Sequence, residues 1–115
     1  MLTPLIEELM KQENIIFGNP QDLGNQSFNG LMIQGKSSVY AFNGDINNKT
    51  DGFPTGAYAY GTIITLNPTH STTNAYSTAQ IYITDIPAGT HGIYIRTRMS
   101  GNWIKITGTT IAPVA

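Results

Sequence analysis

A Gly-Asn pair between two runs of β-branched and aromatic residues constrains this fold more than any other stretch. Residues 93–99 and 103–106 alternate in side-chain character along the chain. The intervening Gly101-Asn102 supplies the positive φ that a tight hairpin turn needs. The sequence therefore predicts two antiparallel strands joined by a short turn, with side chains alternating between two sides.

The two sides of this predicted hairpin differ in their chemistry. The side predicted to face the core consists of Ile95, Thr97, Met99, Ile104 and Ile106. The other, basic-aromatic side consists of Tyr94, Arg96, Arg98, Trp103 and Lys105. A two-residue turn at Gly101-Asn102 would place Met99 opposite Ile104 and Arg98 opposite Lys105. Two facing cations cost energy unless an anion or a carboxylate lies between them, so any function of the hairpin is expected on the basic-aromatic side.

Composition limits the classes of protein to consider. The 115 residues suffice for one core, which favours a single domain. Only 11% of residues are charged and the net charge is -1, which disfavours nucleic-acid binding. Abundant Thr, Asn and Gly suit an extracellular β-domain or a surface that contacts sugar hydroxyls. The absence of cysteine excludes disulfides, thiolate metal sites and Cys nucleophiles, and no apolar run suggests membrane insertion.

The N-terminal residues predict a short helix. Thr3-Pro4 is typical of a helix start and Gly18 of a stop. Leu2, Leu5, Leu9 and Ile16 recur at spacings of three, four and seven residues. Two interpretations remain open, namely an amphipathic helix that docks on its own domain and a short oligomeric stem. The predicted division is a helical stem at residues 1–20 and a β-rich knob at residues 21–115.

The rest of the chain is predicted to be mainly β. Short strands are expected at 31–33 and 39–42, and longer ones at 57–66 and 79–85, before the hairpin. Gly61 is expected to mark a bulge or a close approach of neighbouring backbones. Local connections favour an antiparallel meander. The fold class is therefore a small antiparallel β-sheet or sandwich knob preceded by a short N-terminal helix.

No catalytic or metal-binding motif is visible. The carboxylates Asp22, Asp45, Asp51 and Asp85 stand in no glycosidase pattern, and Lys49 breaks the spacing of an EF-hand loop. His70 and His91 lie in polar loops, where exposed histidines are ordinary. The chain is therefore expected to be non-enzymatic, with neither a metal nor a cofactor.

An ordered set of segments between residues 48 and 106 resembles the knob domain of pyocin and bacteriophage tail fibres. The set is Asn48, Asp51-Gly52-Phe53-Pro54-Thr55-Gly56, Tyr60-Gly61-Thr62-Ile63-Ile64-Thr65, Ala79-Gln80-Ile81-Tyr82-Ile83, Ile93-Tyr94-Ile95-Arg96-Thr97-Arg98 and Gly101-Asn102-Trp103-Ile104-Lys105-Ile106. The resemblance implies a homotrimeric fibre in the virion, attached to the rest of the tail fibre or baseplate. It also implies a tip that holds this domain against the host surface.

The ligand expected for such a tip is a cell-surface polysaccharide or a teichoic acid. The candidate binding residues are His70, Asn74, Tyr76, Arg96, Arg98 and Trp103. The polar segments at residues 45–55 and 70–76 are the loops expected to take part in recognition, because a rigid β-scaffold holds its binding residues on loops. Aromatic rings stack on sugars, and guanidinium groups bind phosphates in a bidentate manner. The alternative is structural: Trp103 packs over Arg96 or Arg98, and the cluster is buried against Tyr82 or a neighbouring subunit.

Two other functional classes also fit the sequence. One is a structural module that trimerises or spaces a fibre while recognition lies elsewhere. The other is a carbohydrate-binding accessory domain of a cell-wall enzyme.

Overall fold

The fold is built on one β-sheet in which strands that follow each other in sequence are also neighbours in space. The structure, a computed structural model, describes residue 4 and residues 21–44, 51–73, 77–85, 91–99, 101–109 and 111–114. Its six-stranded sheet contains β1 (Gln21–Asp22), β2 (Ser38–Asn43), β3 (Tyr60–Leu66), β4 (Ala79–Thr84), β5 (Ile93–Thr97) and β6 (Ile104–Ile106). β1 pairs with β2 in parallel, and every later neighbour is antiparallel. The predicted mainly β fold and the antiparallel meander are therefore confirmed.

One helical turn, α1 (Phe28–Leu31), precedes the main strands. Its N-cap is Ser27, whose Oγ accepts a hydrogen bond from the Gly30 backbone N–H at 3.0 Å. The predicted strand at residues 31–33 is wrong, because Leu31 ends this turn and its side chain is buried. The predicted helical stem at residues 1–20 lies, apart from Pro4, outside the described residues. No helix in the described ranges is both long and apolar enough to cross a membrane.

The strand predictions for the centre of the sheet hold with small changes in their bounds. The expected strand at 39–42 falls within β2, the one at 79–85 matches β4, and the one at 57–66 begins at Tyr60. Gly61 is a point of close approach, as expected. A Cβ added there would collide with the carbonyl oxygen of Ile83 on β4, so only glycine allows this strand spacing.

The core lies on the side of the sheet that carries the aromatic residues. It consists of Leu23, Phe28, Leu31, Phe42, Ile63, Tyr82 and Tyr94, with Trp103 packed against it. The prediction that the aliphatic side of the hairpin faces the core is wrong. Tyr94 and Arg96 are only 5% and 3% exposed, whereas Ile104 is 67% exposed. The reason is that α1 and the loop at residues 51–56 cover the aromatic side, where Phe28 contacts Phe42, Phe53 and Tyr82.

The opposite side of the sheet carries two cross-strand ladders, here called the isoleucine face. The first ladder runs across β2 to β6 through Ala41, Thr62, Ile83, Ile93 and Ile106. The second runs across the same strands through Val39, Ile64, Ile81, Ile95 and Ile104. Of the four isoleucines of this face that are exposed, three belong to β5 and β6. An apolar surface thus extends over five strands, and its most exposed residues lie on β4, β5 and β6.

The hairpin register differs from the predicted one. Ile95 pairs with Ile104, and Tyr94 pairs with Lys105. The expected Met99–Ile104 and Arg98–Lys105 pairs are therefore wrong. Arg98 leaves the strand with φ 66, and its N–H bonds to the carbonyl of Thr78 at 3.0 Å. The chain thus turns before Gly101-Asn102 is reached, and the connection is longer than two residues.

Tyr82 is expected to make the protein sensitive to alkaline pH. Its hydroxyl donates a hydrogen bond to the carbonyl oxygen of Tyr58 at 2.6 Å. Burial, with a smaller contribution from Asp85, raises the pKa of Tyr82 well above the ordinary tyrosine value of about 10. The folded state therefore holds this proton more tightly than the unfolded state does. The resulting stability is complete below about pH 10 and is lost as the pH rises above that value.

Arg96 titrates in the same pH range, because burial lowers its pKa to about 10. The test therefore compares the wild type with Tyr82→Phe, which retains Arg96 and lacks only the Tyr82 hydroxyl. We expect the free energy of unfolding to decrease more steeply above about pH 10 in the wild type than in Tyr82→Phe. Denaturant titrations at several pH values measure this slope. Tyr60→Phe is the control, since Tyr60 is 46% exposed. Identical slopes in the wild type and Tyr82→Phe would contradict the expectation.

Candidate binding groove

An open groove of about 620 Å³ lies on the core side of the sheet, at the β6 edge. One wall is the loop at residues 52–56, and the other is formed by β5, β6 and the connection between them. The lining residues are Gly52, Phe53, Pro54, Thr55, Gly56, Tyr94, Arg96, Gly101, Asn102, Trp103 and Lys105. Aromatic, cationic and neutral polar groups therefore meet in one concave surface.

The loop wall is fixed by hydrogen bonds to its backbone. The Trp103 Nε1–H donates to the carbonyl oxygen of Gly52 at 2.8 Å, and the Asn29 N–H donates to the carbonyl oxygen of Asp51 at 3.0 Å. Gly52 has φ 87, a left-handed conformation that glycine adopts readily. A Cβ at this position would approach the Arg96 Nη2 to 2.6 Å and collide with the Asn29 side chain. The loop thus fits closely over Arg96, which gives the groove a fixed shape before any ligand arrives.

Arg96 is a buried cation held by neutral acceptors. Its Nε and Nη2 donate to Gln80 Oε1 at 3.0 and 2.7 Å. Its Nη2 also donates to Asn29 Oδ1 at 2.9 Å, and its Nη1 donates to the Met99 carbonyl at 3.0 Å. Burial lowers the pKa of Arg96 to about 10, so the group remains charged at neutral pH. In the part of the chain that the structure describes, the acceptors of these bonds are neutral, so the charge leaves a positive potential that an anion in the groove would neutralise.

Gln80 orients this guanidinium group. Its Nε2 donates to the carbonyl oxygen of Phe28 at 2.7 Å and to Thr65 Oγ1 at 3.1 Å. These two bonds fix the amide so that its oxygen points at Arg96. The network therefore ties α1, β3, β4 and β5 together beneath the groove, and Arg96 contributes to both the fold and the electrostatics of the site.

Two cation–π contacts place aromatic rings beside the positive charges. The Arg96 Cζ lies 4.7 Å from the centroid of the Trp103 ring, and the Lys105 Nζ lies 5.7 Å from that of Tyr94. Trp103 is half-buried and Lys105 is exposed. No Asp or Glu is found among the described residues that line the groove. The site therefore offers cations and a partly open indole to a ligand that carries negative charge and sugar rings.

Of the four predicted site residues that the structure describes, two lie together. Arg96 and Trp103 line the groove, and their contact matches the expected packing of Trp103 over an arginine. Arg98 is exposed in the turn after β5 and does not line the groove. His70 also lies outside it, and its Nδ1 is 3.1 Å from the carbonyl oxygen of Gly35. Asn74 and Tyr76 lie outside the described residues.

Lys105, Asn102 and Thr55 line the groove but were not among the predicted ligand-binding residues. The position of Lys105 could be predicted from the sequence, because alternation along β6 puts it on the same side of the hairpin as Trp103. Thr55 ends the polar segment at residues 45–55, which was expected to take part in recognition. Its place beside β6 was not visible, since it depends on the hydrogen bond between Trp103 and Gly52, which are far apart in sequence.

The described residues contain no group of three or more His, Asp or Glu side chains that could hold a metal ion. The expectations of a non-enzymatic chain without a cofactor therefore remain predictions.

Comparison with known proteins does not assign this chain to a family. No protein-family model matches the sequence, and neither a curated protein nor a solved structure matches it. The functional inference therefore depends on the residues of the groove and on the sequence pattern.

Proposed function

We propose that this chain is a non-catalytic attachment domain of a phage or tailocin-like tail fibre. Its ligand is an anionic sugar polymer of the host surface, such as a teichoic acid, and its site is the groove beside Trp103. The tail-fibre context is supported by the resemblance of residues 48–106 to knob domains. The observation that carries the ligand class is the meeting of Arg96, Lys105 and Trp103 in an open groove.

Each group in the groove has a definite role in this proposal. Lys105 is exposed and reaches a phosphate of the polymer, where an ammonium group acts as a point charge. The exposed part of the Trp103 indole packs against a sugar ring. Asn102 and Thr55 supply neutral groups for sugar hydroxyls. Arg96 is too buried to wrap around a ligand, so it contributes mainly its positive potential.

Attachment would gain strength from repetition. A single open groove with few charged contacts binds weakly, and a homotrimeric fibre presents three such grooves to a polymer that repeats its own units. Linked weak sites raise the overall avidity without any new contact. The proposed trimer therefore suits a polymeric ligand better than a small free sugar.

The test is a binding assay of the full chain on Gram-positive cells that carry wall teichoic acid. We expect Lys105→Gln to weaken attachment roughly fivefold, which corresponds to about 1 kcal/mol for one exposed charge. Lys36→Gln is the matched control, because Lys36 is exposed and does not line the groove. Attachment by the wild type should also weaken as salt is raised above about 0.1 M.

Two results of the same assay would contradict the proposal. The first is equal attachment by Lys105→Gln and the wild type at low salt. The second is undiminished attachment to cells from which teichoic acid has been removed. His70→Ala is expected to attach as the wild type does, because His70 lies outside the groove; a selective loss in that variant would move the site to the loop between β3 and β4.

A further inference from the structure

We infer that a second binding site, for a neutral saccharide, lies at one end of the sheet on three aromatic rings, here called the tyrosine corner. Its members are Tyr58, Tyr60 and His91, which meet where β3 begins and where the chain enters β5. These three residues do not line the groove beside Trp103. The inference therefore goes beyond the proposed attachment and does not rest on it.

The three rings contact one another in series. The centroid of the Tyr58 ring lies 4.2 Å from that of His91, with the two planes at 82°. It lies 5.5 Å from the centroid of the Tyr60 ring, with the planes at 47°. Aromatic pairs favour edge-on contacts of the first kind. Because each ring is held by a neighbour, the corner has a fixed shape before a ligand arrives, which lowers the entropic cost of binding one.

The backbone fixes the position of both tyrosines. The carbonyl oxygen of Tyr58 accepts a hydrogen bond from the Tyr82 hydroxyl at 2.6 Å, and that of Tyr60 accepts one from the Asp85 N–H at 3.0 Å. Gly44 has φ 84, and a Cβ at this position would lie only 2.5 Å from the Tyr60 Cζ. The Tyr60 ring thus lies directly against the Gly44 backbone, and a larger residue there would displace it.

The Tyr60 ring remains open to solvent. Tyr60 is 46% exposed, whereas Ile63 on the same strand is fully buried. Alternation along β3 places Tyr60 on the side of the isoleucine face, opposite to Ile63 and to the groove. Tyr58 and His91 are half-buried. An aromatic ring that is fixed by its neighbours and still reached by water can pack against the C–H face of a sugar.

The polar groups around the rings favour a neutral saccharide. Asn43 lies directly opposite Tyr60 across β2 and β3, and both Asn43 and Asp85 are exposed. Amide, carboxylate and phenol groups hydrogen-bond to sugar hydroxyls. The strands β2, β3 and β4 as the structure describes them contain no Lys or Arg, and the Asp85 carboxylate repels a phosphate. The expected ligand therefore differs from that of the cationic groove.

The arrangement of the rings disfavours a cationic ligand. An aromatic cage for a quaternary ammonium group needs rings that surround the cation. Tyr58 instead contacts both His91 and Tyr60, which leaves no room for a ligand between it and either neighbour. The surface that remains is the exposed part of the Tyr60 ring, and this suits the flat face of a sugar.

The test is affinity electrophoresis of the full chain in native gels that contain dextran, mannan or hydroxyethylcellulose, which are soluble neutral polysaccharides. We expect at least one of them to retard the wild type, and Tyr60→Ala to need roughly fivefold more polymer for the same retardation. Leu66→Ala is the matched control, because Leu66 is 44% exposed on the same side of the same strand, at its other end. It should be retarded as the wild type is.

A second variant keeps the test decisive if Tyr60→Ala does not fold. Tyr60→Leu removes the ring but keeps an apolar side chain beside Gly44, and it should bind as weakly as Tyr60→Ala. A wild type that none of the polysaccharides retards, or equal retardation of Tyr60→Leu and the wild type, would overturn the inference. Retardation that Lys105→Gln abolishes would also overturn it, by moving the sugar to the groove. The two sites are tested separately, since the groove is probed with teichoic acid and the tyrosine corner with uncharged polymers.

Discussion

Phe28→Ala is expected to lower the free energy of unfolding by about 3 to 5 kcal/mol. Phe28 is fully buried, and its ring lies 5.3 to 5.5 Å from those of Phe42, Phe53 and Tyr82. Truncation leaves a cavity between α1 and the sheet, because the surrounding rings belong to two different strands and a loop and cannot all move inward. Denaturation with urea, followed by circular dichroism, measures the change.

The control for this variant comes from the same segment. Ile33→Ala removes an aliphatic side chain that is 39% exposed, and it should cost about 1 kcal/mol or less. Equal costs for the two substitutions would mean that the aromatic cluster around Phe28 is not the centre of the core. The aromatic side of the sheet would then not be the side that is buried.

Arg96→Ala is expected to destabilise the fold by about 2 to 4 kcal/mol. The substitution leaves Gln80 Oε1 and Asn29 Oδ1 without the donors that Arg96 supplies, at about 1 to 3 kcal/mol for each unsatisfied buried group. The loss of a costly buried charge offsets part of this. Arg96→Lys should also destabilise, since one ammonium group cannot reproduce the planar set of bonds.

Arg98→Gln provides the comparison, because Arg98 is an exposed arginine two residues away and should change stability by about 0.5 kcal/mol or less. Thermal and urea unfolding of the three variants measure these effects. If Arg96→Ala were as stable as the wild type, the network beneath the groove would contribute little, and the fixed position of the loop at 52–56 would need another cause.

Much of the sheet could be predicted from the sequence because its signals are local. Alternation over residues 79–84 and the β-branched run at 60–66 indicate strands regardless of what they pack against. The meander then follows from short connections between neighbours. These features depend on residues a few positions apart, so they are visible without tertiary structure.

The sequence did not decide which side of the hairpin is buried, because both sides carry large side chains and burial of the basic-aromatic side against Tyr82 was only one of the interpretations. Isoleucine is the more apolar choice, yet Tyr94 and Arg96 are buried, since Gln80 and Asn29 satisfy the guanidinium group from distant parts of the chain. A buried arginine with neutral partners leaves no pairing pattern in the sequence. Which side of the hairpin is buried depends on where α1 and the loop at 51–56 lie.

Neither α1 nor the groove could be predicted from the sequence, and the reasons are related. A single turn that contains Asn29 and Gly30 is too short to show a helical period, and neither residue favours a helix. The groove requires Trp103 to meet Gly52 across half of the chain. Arg96 and Trp103 could be named as candidates because alternation puts them on one side of the hairpin, and the loop at 45–55 because it is polar. The contact that joins this loop to the hairpin could not be predicted.

Trp103 is the single tryptophan of the chain, so its fluorescence tests the proposed site most directly. Titration of the full chain with purified teichoic acid at about 0.1 M salt should produce a saturable change in emission. The change should be weaker in Lys105→Gln, unaltered in Lys36→Gln and largely abolished at high salt. Binding of the polymer without any change in Trp103 emission, or an equal response to the neutral polymer dextran, would contradict an anionic-polymer site in this groove.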